Sequence, residues 1–140
     1  MLCREHAAQL RDRYEEIRRS GGEVVAIGTG NRDHAADFVE RDRIPFLVLV
    51  DDDAAAARVA ALPRVNPFRL LFDPRSLGGS RRAHRAGFRV GRPGTRVNQL
   101  GATFVIGAGD TVRFEHRDEH TADHALLDDV LGALGNTAAR

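Results

Sequence analysis

The residue best suited to chemistry is a single cysteine close to the start of the sequence. Cys3 is the only cysteine among the 140 residues. Apolar residues follow it at steps of four, three, four and three positions: Ala7, Leu10, Tyr14 and Ile17. Because this spacing is typical of one helix face, it predicts a helix over residues 4–19 with Cys3 at its first turn and the sulfur on the inner face. The unpaired N–H groups and the dipole of a helix start lower the pKa of a thiol there. The residues alone leave two interpretations open, a redox thiol and a small buried core residue.

Three histidines form a second candidate group, at intervals of four residues: His116, His120 and His124. On a single helix this spacing would align three metal ligands. The segment is predicted instead to run from the end of a strand through a turn into a last helix, with Thr121 as its N-cap and His124 at the third helical position. Exposed or locally hydrogen-bonded histidines are therefore favoured, and no metal site is predicted.

Two further motifs have structural interpretations. The run Asp51-Asp52-Asp53 could suggest a hard-cation site, but no second carboxylate cluster accompanies it, and acidic residues favour a helix start. The segment Gly28-Thr29-Gly30-Asn31 follows a predicted strand, yet it has neither the dinucleotide-binding glycine pattern nor Gly-Lys-Ser/Thr. A tight turn from a strand into a helix is predicted there.

Composition restricts the class of protein. With 42% hydrophobic and 29% charged residues, 140 residues predict one globular domain, covering residues 1–140. No apolar run approaches the roughly 18 residues of a membrane span, so no membrane association is expected. A lone cysteine excludes an internal disulfide and favours a cytoplasmic location. The net charge of +1 gives no case for nucleic acid.

The basic residues are unevenly distributed. All 21 are arginine, and residues 74–96 contain seven of them without any Asp or Glu. They lie in an irregular Arg-rich linker predicted over residues 63–100. A solvated surface is the favoured interpretation of this linker, and docking of an anionic lipid surface, a nucleic acid or an acidic partner is the alternative.

Hydrophobic patterning predicts the elements that position these residues. Short apolar runs at 23–28 and 46–50 are typical of buried parallel strands, and helices are predicted at 32–43 and from about 54 to 62. A helical turn is expected at 80–86. An antiparallel hairpin is expected at 103–107 and 111–116. A last helix carries one apolar stripe, made of Leu126, Leu127, Val130, Leu131 and Leu134. The order predicts an α/β fold with a thioredoxin-like mixed sheet flanked by helices, whose central N-terminal strand is missing.

Two sequence blocks carry a family resemblance. The segment from Leu2 to Leu10, LCREHAAQL, resembles the cysteine-Arg-Glu helix opening of the peroxiredoxin-like 2 branch of the AhpC/TSA (alkyl hydroperoxide reductase/thiol-specific antioxidant) superfamily. The segment from Gln99 to Gly107, followed by Phe114-Glu115-His116-Arg117, is similar to that family's hairpin. The segment 45–53 looks like the peroxiredoxin strand that ends in Asp before a short helix. The resemblance covers nearly the whole chain.

The resemblance implies thiol-dependent reduction of peroxides. Members of this branch carry a Cys-x-x-Cys pair in which the first cysteine attacks and the second resolves. Cys3 matches the second, so the first would precede Met1. We expect a start downstream of the natural one, and the alternative is a natural truncation with lost or altered activity. Gly101 stands where an arginine usually helps to bind peroxide, and Ala102 stands at the cis-proline position of thioredoxins. These departures favour a dithiol reductase that needs no metal or organic cofactor and takes electrons from a thioredoxin-like reductant.

A rival hypothesis keeps the fold without the catalysis. The chain could be a non-catalytic thioredoxin-fold interaction module that binds a partner through the Arg-rich segment or an exposed sheet edge. Without a central strand, the strands at 23–28 and 103–107 are expected to lack a pairing partner between them. They could pair directly, or another chain's strand could fill the gap, so a homodimer is one expected partner state. With its only cysteine as a resolving thiol, the 140-residue chain is expected to have little or no peroxidase activity.

Overall fold

The computed structural model describes residues 2–64, 85, 99–120 and 123–138. Its helices, numbered in chain order, are α1 (Leu2–Asp12), α2 (Tyr14–Arg19), α3 (Arg32–Asp42), α4 (Ala55–Val59) and α5 (Leu127–Ala138). Its strands are β1 (Val25–Gly28), β2 (Leu47–Val50), β3 (Ala102–Gly107) and β4 (Thr111–Arg117). Along the chain the order is α1-α2-β1-α3-β2-α4-β3-β4-α5. The predicted α/β class and the predicted order of elements are confirmed.

The predicted first helix is divided in two at Arg13. The backbone of Arg13, with φ −108° and ψ 10°, departs from α-helical geometry. Its carbonyl accepts hydrogen bonds from the N–H groups of Glu16 and Ile17, so that α2 starts directly after the break. The prediction of one continuous helix was therefore wrong at this residue. The apolar stripe nevertheless continues across the break, and Ile17 is only 1% exposed.

Strands β1 and β2 form a parallel pair joined by α3. Their register places Val25 opposite Leu47 and Gly28 opposite Val50. Asn31 caps α3, because its side-chain oxygen accepts a hydrogen bond from the His34 N–H at 2.9 Å. The predicted tight turn from β1 into a helix is thus confirmed, because α3 begins directly after Asn31.

One face of this strand pair is buried against α1 and α3. The buried centre of this first core consists of Ala7, Ile44 and Phe46. Partly buried residues pack around it: Leu10, Tyr14, Val24, Ala26, Phe38, Val39 and Val48. The inner face predicted for the first helix is confirmed at Ala7, Leu10 and Tyr14.

The opposite face of the same strands is not buried. Val25, Ile27, Leu47 and Leu49 are 49%, 54%, 56% and 43% exposed. Successive strand residues point to opposite faces, so these four residues share the face turned away from α1 and α3. The prediction that both strands are buried on both faces was wrong for this side.

Strands β3 and β4 form the predicted antiparallel hairpin, and α5 packs on it. Val105, Ala125 and Val130 form the second core, with Phe114 and Leu134 among the residues packed against it. Two details of the last helix differ from the prediction. Helix α5 begins at Leu127, so His124 precedes the helix instead of occupying its third position, and Leu126 is 71% exposed instead of lying on the apolar stripe. Thr121, the predicted N-cap, lies outside the described residues.

The four strands form two separate two-stranded sheets, β1-β2 and β3-β4. Within the described residues, β1 pairs only with β2 and β3 only with β4. The expectation that the strands at 23–28 and 103–107 lack a pairing partner between them is consistent with this arrangement. The flanking strands do not close the break by direct pairing.

Most of the Arg-rich linker lies outside the described residues. The helical turn predicted at 80–86 is represented there only by Arg85, which is helical and exposed. Across the described part of the chain, no helix combines the length and the apolar character needed to cross a membrane.

Candidate functional site

The backbone of Cys3 belongs to the first turn of α1, because the helix begins at Leu2. Its side chain is outside the described part of the structure, so the predicted burial of the sulfur stays a prediction. One helical turn further on lies His6, whose side chain reaches the β3–β4 hairpin. Its Nε2 lies 3.4 Å from the hydroxyl oxygen of Thr103 on β3. The end of α1 that carries Cys3 is thereby connected to the hairpin.

The imidazole of His6 also stacks on that of His124. The two ring centroids are 5.1 Å apart, and the ring planes are inclined by 23°. His124 lies in the segment between β4 and α5, directly before the buried Ala125. Its side chain is 15% exposed. Two residues far apart in sequence therefore meet in a largely buried contact.

Asp118 is the buried carboxylate of this cluster. It is 5% exposed and follows directly after β4. Its Oδ2 is hydrogen-bonded to Nδ1 of His124 at 3.3 Å. Its Oδ1 lies 3.7 Å from Nε2 of His116, which also lies 3.3 Å from Oδ1 of Asp123. A buried carboxylate requires such partners, since burial without them is costly.

Gly101 leaves the space that Asp118 occupies. A Cβ atom at position 101 would lie 2.8 Å from Oδ2 of Asp118, closer than side chains tolerate. The backbone N–H of Asp118 donates to the carbonyl of Gly101 at 3.1 Å. The resemblance leads us to expect a peroxide-binding arginine at position 101. The chain has Gly101 there instead, directly beside the Asp118 carboxylate.

The environment of His6 disfavours its charged form. Burial lowers the pKa of His6 below its ordinary value of 6.5, and the charge that His124 can carry lowers this pKa further. Asp118 and Gln9 act in the opposite direction, and His116 adds to the lowering. His6 is therefore neutral at pH 7, a state in which an imidazole can either donate or accept a hydrogen bond.

That the three histidines hold no metal ion stays a prediction. Among the described residues, no group of three or more His, Cys, Asp or Glu side chains is arranged to hold a metal ion. His116 and His124 do come together, but around the Asp118 carboxylate. The arrangement is a cluster of imidazoles and carboxylates in close contact, which we call the His6–Asp118 cluster: His6, His116, Asp118, Asp123 and His124.

The aspartate run after β2 caps a helix, as predicted. The two carboxylate oxygens of Asp51 each accept one hydrogen bond, from the N–H groups of Ala55 and Ala56, both at 2.9 Å. These are two of the unpaired donors at the start of α4. The carboxylate thus has a structural role that accounts for its position.

Neither His6 nor Asp118 was among the candidate site residues predicted from the sequence. His6 was noticed only as part of the LCREHAAQL block, and Asp118 only as part of the histidine-rich segment. The available signal was the three-residue step from Cys3 to His6, which places both positions on neighbouring parts of one helix face. The meeting of His6 with His124 gives no local pattern, because it depends on how α1 packs against the hairpin.

Comparison with known proteins now identifies the family. Residues 9–120 match the family described as AhpC/TSA antioxidant enzyme, so that Cys3 lies just before the matched region. An Arabidopsis thaliana protein named "Thioredoxin-like protein AAED1, chloroplastic" is 28% identical over 145 aligned residues. The alignment covers 95% of this chain and 56% of that protein, so the chain spans little more than half the length of this relative. The α/β architecture agrees with a thioredoxin-like fold, and the chain belongs to the AhpC/TSA antioxidant enzyme family.

Proposed function

We propose that this protein takes part in thiol-dependent reduction of peroxides, with Cys3 as the resolving thiol. The observation that supports this most is the position of Cys3 in the first turn of α1 in a chain of the AhpC/TSA family. A thiol in that position is close to the unpaired N–H groups of the helix start, which favour the thiolate. A location where thiols stay reduced, such as the cytoplasm, belongs to the same proposal.

The proposed chemistry uses two thiols and a peroxide. The attacking thiolate is on a cysteine outside these 140 residues, because Cys3 is the only cysteine among them. Its sulfur forms a bond to one peroxide oxygen as the O–O bond breaks, and the other oxygen takes up a proton and leaves as an alcohol or water. The attacking cysteine is then a sulfenic acid. The sulfur of Cys3 then attacks the sulfenic sulfur, water leaves, and a disulfide forms. A thioredoxin-like dithiol returns two electrons and two protons by thiol–disulfide exchange.

The test restores the attacking cysteine in the spacing that the resemblance implies. A cysteine added directly before Met1 gives a Cys-x-x-Cys sequence that ends at Cys3. After one equivalent of hydroperoxide, we expect this extended chain to lose both free thiols and to recover them with a thioredoxin-like reductant. The matched Cys3→Ser variant should stop at a sulfenic acid that dimedone traps. A trapped sulfenic acid in the extended chain with Cys3 intact would overturn the resolving role.

A second candidate function is supported by the exposed apolar face of β1 and β2. Val25, Ile27, Leu47 and Leu49 are each 43–56% exposed, and apolar patches of this kind are typical of interaction surfaces. The chain would then act as a non-catalytic thioredoxin-fold module. Leu47→Glu separates the two functions, because it should abolish partner binding while it leaves peroxide-driven disulfide formation in the extended chain unchanged.

A further inference from the structure

We propose that His6 and His124 form a proton-sensitive anchor, which holds the first turns of α1 against the β3–β4 hairpin while His6 is neutral and loosens when His6 is protonated. This makes His6 a positioning residue for the helix end that carries Cys3. The anchor itself is independent of the proposed function. Only its consequence, a pH-dependent exposure of the Cys3 thiol, rests on that function.

The anchor lies between α1, which packs on the β1–β2 pair, and the β3–β4 hairpin with the segment that follows it. Within the described residues the β1–β2 and β3–β4 pairs share no ladder, so side chains and short backbone contacts connect them. At the start of α1 these contacts are the 3.4 Å approach of His6 to Thr103 and the stacking of His6 on His124. Another link, from Arg13 to Asp128, spans 3.8 Å and involves an almost fully exposed carboxylate. The stacked imidazoles are therefore the better-buried connection of the two.

The charges around His6 explain why a proton would weaken the contact. Three titratable groups from the region of the hairpin and α5 act on the charge of His6. They are His116 on β4, Asp118 directly after β4, and His124 before α5. Thr103 on β3 and Gln9 on its own helix carry no charge. Asp118 is a single carboxylate and is already within 3.3 Å of His124 and 3.7 Å of His116. A proton on His6 would thus add a cation beside a carboxylate that two other imidazoles already neighbour.

The hydrogen bond to Thr103 is not the proton-sensitive part. A protonated imidazole can still donate from Nε2 to the threonine hydroxyl. What changes is the cost of burying the charged ring and its repulsion from His124 at a centroid distance of 5.1 Å. The anchor should therefore loosen because of the charge, with the hydrogen-bonding groups still present.

The first experiment is an NMR titration of the His6 imidazole in the full chain. His124→Gln keeps a donor for Asp118 but cannot become charged, so it should raise the pKa of His6. Asp118→Asn removes the negative charge, so it should lower the same pKa. Shifts in opposite directions support the charge coupling. Shifts in the same direction, or no shift in the His124→Gln variant, would overturn it. If Asp118→Asn does not fold, the His124→Gln result decides alone.

The second experiment measures how firmly the helix start is held. Hydrogen exchange at the amides of Ala7 and Ala8, corrected for the intrinsic effect of pH, is compared at about pH 7.5 and about pH 5. Wild-type protection should fall severalfold at the lower pH, because the opened helix start takes up a proton on His6 more readily than the closed one does. The matched variant His6→Gln has a neutral amide that can still bond to Thr103, so its protection should stay constant. An equal response of the two proteins would contradict the anchor.

Reactivity of the Cys3 thiol in wild type and in His6→Gln tests the consequence of the anchor for the proposed function. Cys3 should react faster with 4,4′-dithiodipyridine at about pH 5, relative to the unfolded chain, in wild type than in His6→Gln. The chain with a cysteine added before Met1 gives the comparison. If its amide protection falls at the lower pH but hydroperoxide forms no disulfide in it, the result supports the anchor and counts against the proposed function. Disulfide formation with pH-independent protection supports the function and overturns the anchor.

Discussion

Gly101 and Asp118 fit together so closely that a side chain at one position would displace the other. A Cβ atom on residue 101 would lie 2.8 Å from Oδ2 of Asp118, while the backbone N–H of Asp118 donates to the Gly101 carbonyl. The same carboxylate oxygen lies 3.3 Å from Nδ1 of His124. A side chain at position 101 would therefore push on the oxygen that makes this contact.

The first prediction follows from this contact. Gly101→Ala should destabilise the protein by about 1–3 kcal/mol, since overpacking a buried site forces neighbouring groups to shift. The hydrogen bond from His124 to Asp118 should lengthen at the same time. Urea unfolding measures the first effect, and the NMR shift of the His124 imidazole measures the second. Gly132→Ala is the control, because a Cβ there meets nothing within 4 Å. Equal stabilities of the two variants would contradict the prediction.

The second prediction concerns acid stability. The pKa of His6 is lower in the folded protein than its ordinary value of 6.5, so the unfolded chain takes up a proton at a higher pH. The stabilising contribution of neutral His6 is therefore complete above about pH 6.5 and is lost as the pH falls from there through the lower pKa of the folded state. Wild type should lose more unfolding free energy between about pH 7.5 and 5.5 than His6→Gln does. Parallel pH profiles of the two proteins would refute it.

The sequence predicts local structure here better than long-range contacts. The stripe of Ala7, Leu10, Tyr14 and Ile17 repeats with the helical period, so the inner face of the first helices could be predicted, and the later burial of Ile17 confirms it. The break at Arg13 could not be predicted, since no proline or glycine marks it. The meeting of His6 with His124 has no sequence period at all, because it depends on the packing of α1 against the hairpin.

The third prediction tests the cap of α4. Asp51→Ala removes both acceptors for the N–H groups of Ala55 and Ala56, so it should cost about 0.5–2 kcal/mol of stability. Asp52→Ala is the matched control, since Asp52 is exposed. Thermal unfolding of both variants gives the comparison. A loss as large for Asp52→Ala would show that negative charge near the helix start, and not the cap, is responsible.

The fourth prediction concerns the chemistry of the 140-residue chain itself. Because Cys3 is its only cysteine, the chain should consume little or no hydroperoxide in a thioredoxin-coupled assay. The cysteine added before Met1 should restore consumption, and Cys3→Ser in that background should remove it again. Robust turnover by the unextended chain, abolished in Cys3→Ser, would assign Cys3 as the attacking thiol.

The fifth prediction compares two large aliphatic residues that the apolar pattern treats alike. Ile17 is 1% exposed, whereas Leu126 is 71% exposed although it was predicted to share the buried stripe of the last helix. Truncation of a buried aliphatic side chain removes its transfer energy and leaves a cavity, so Ile17→Ala should cost about 2–5 kcal/mol. Leu126→Ala should stay within about 0.5 kcal/mol of wild type, as exposed sites usually do. Urea unfolding at neutral pH measures both, and a cost above about 2 kcal/mol for Leu126→Ala would mean that this leucine is buried in the folded protein in solution.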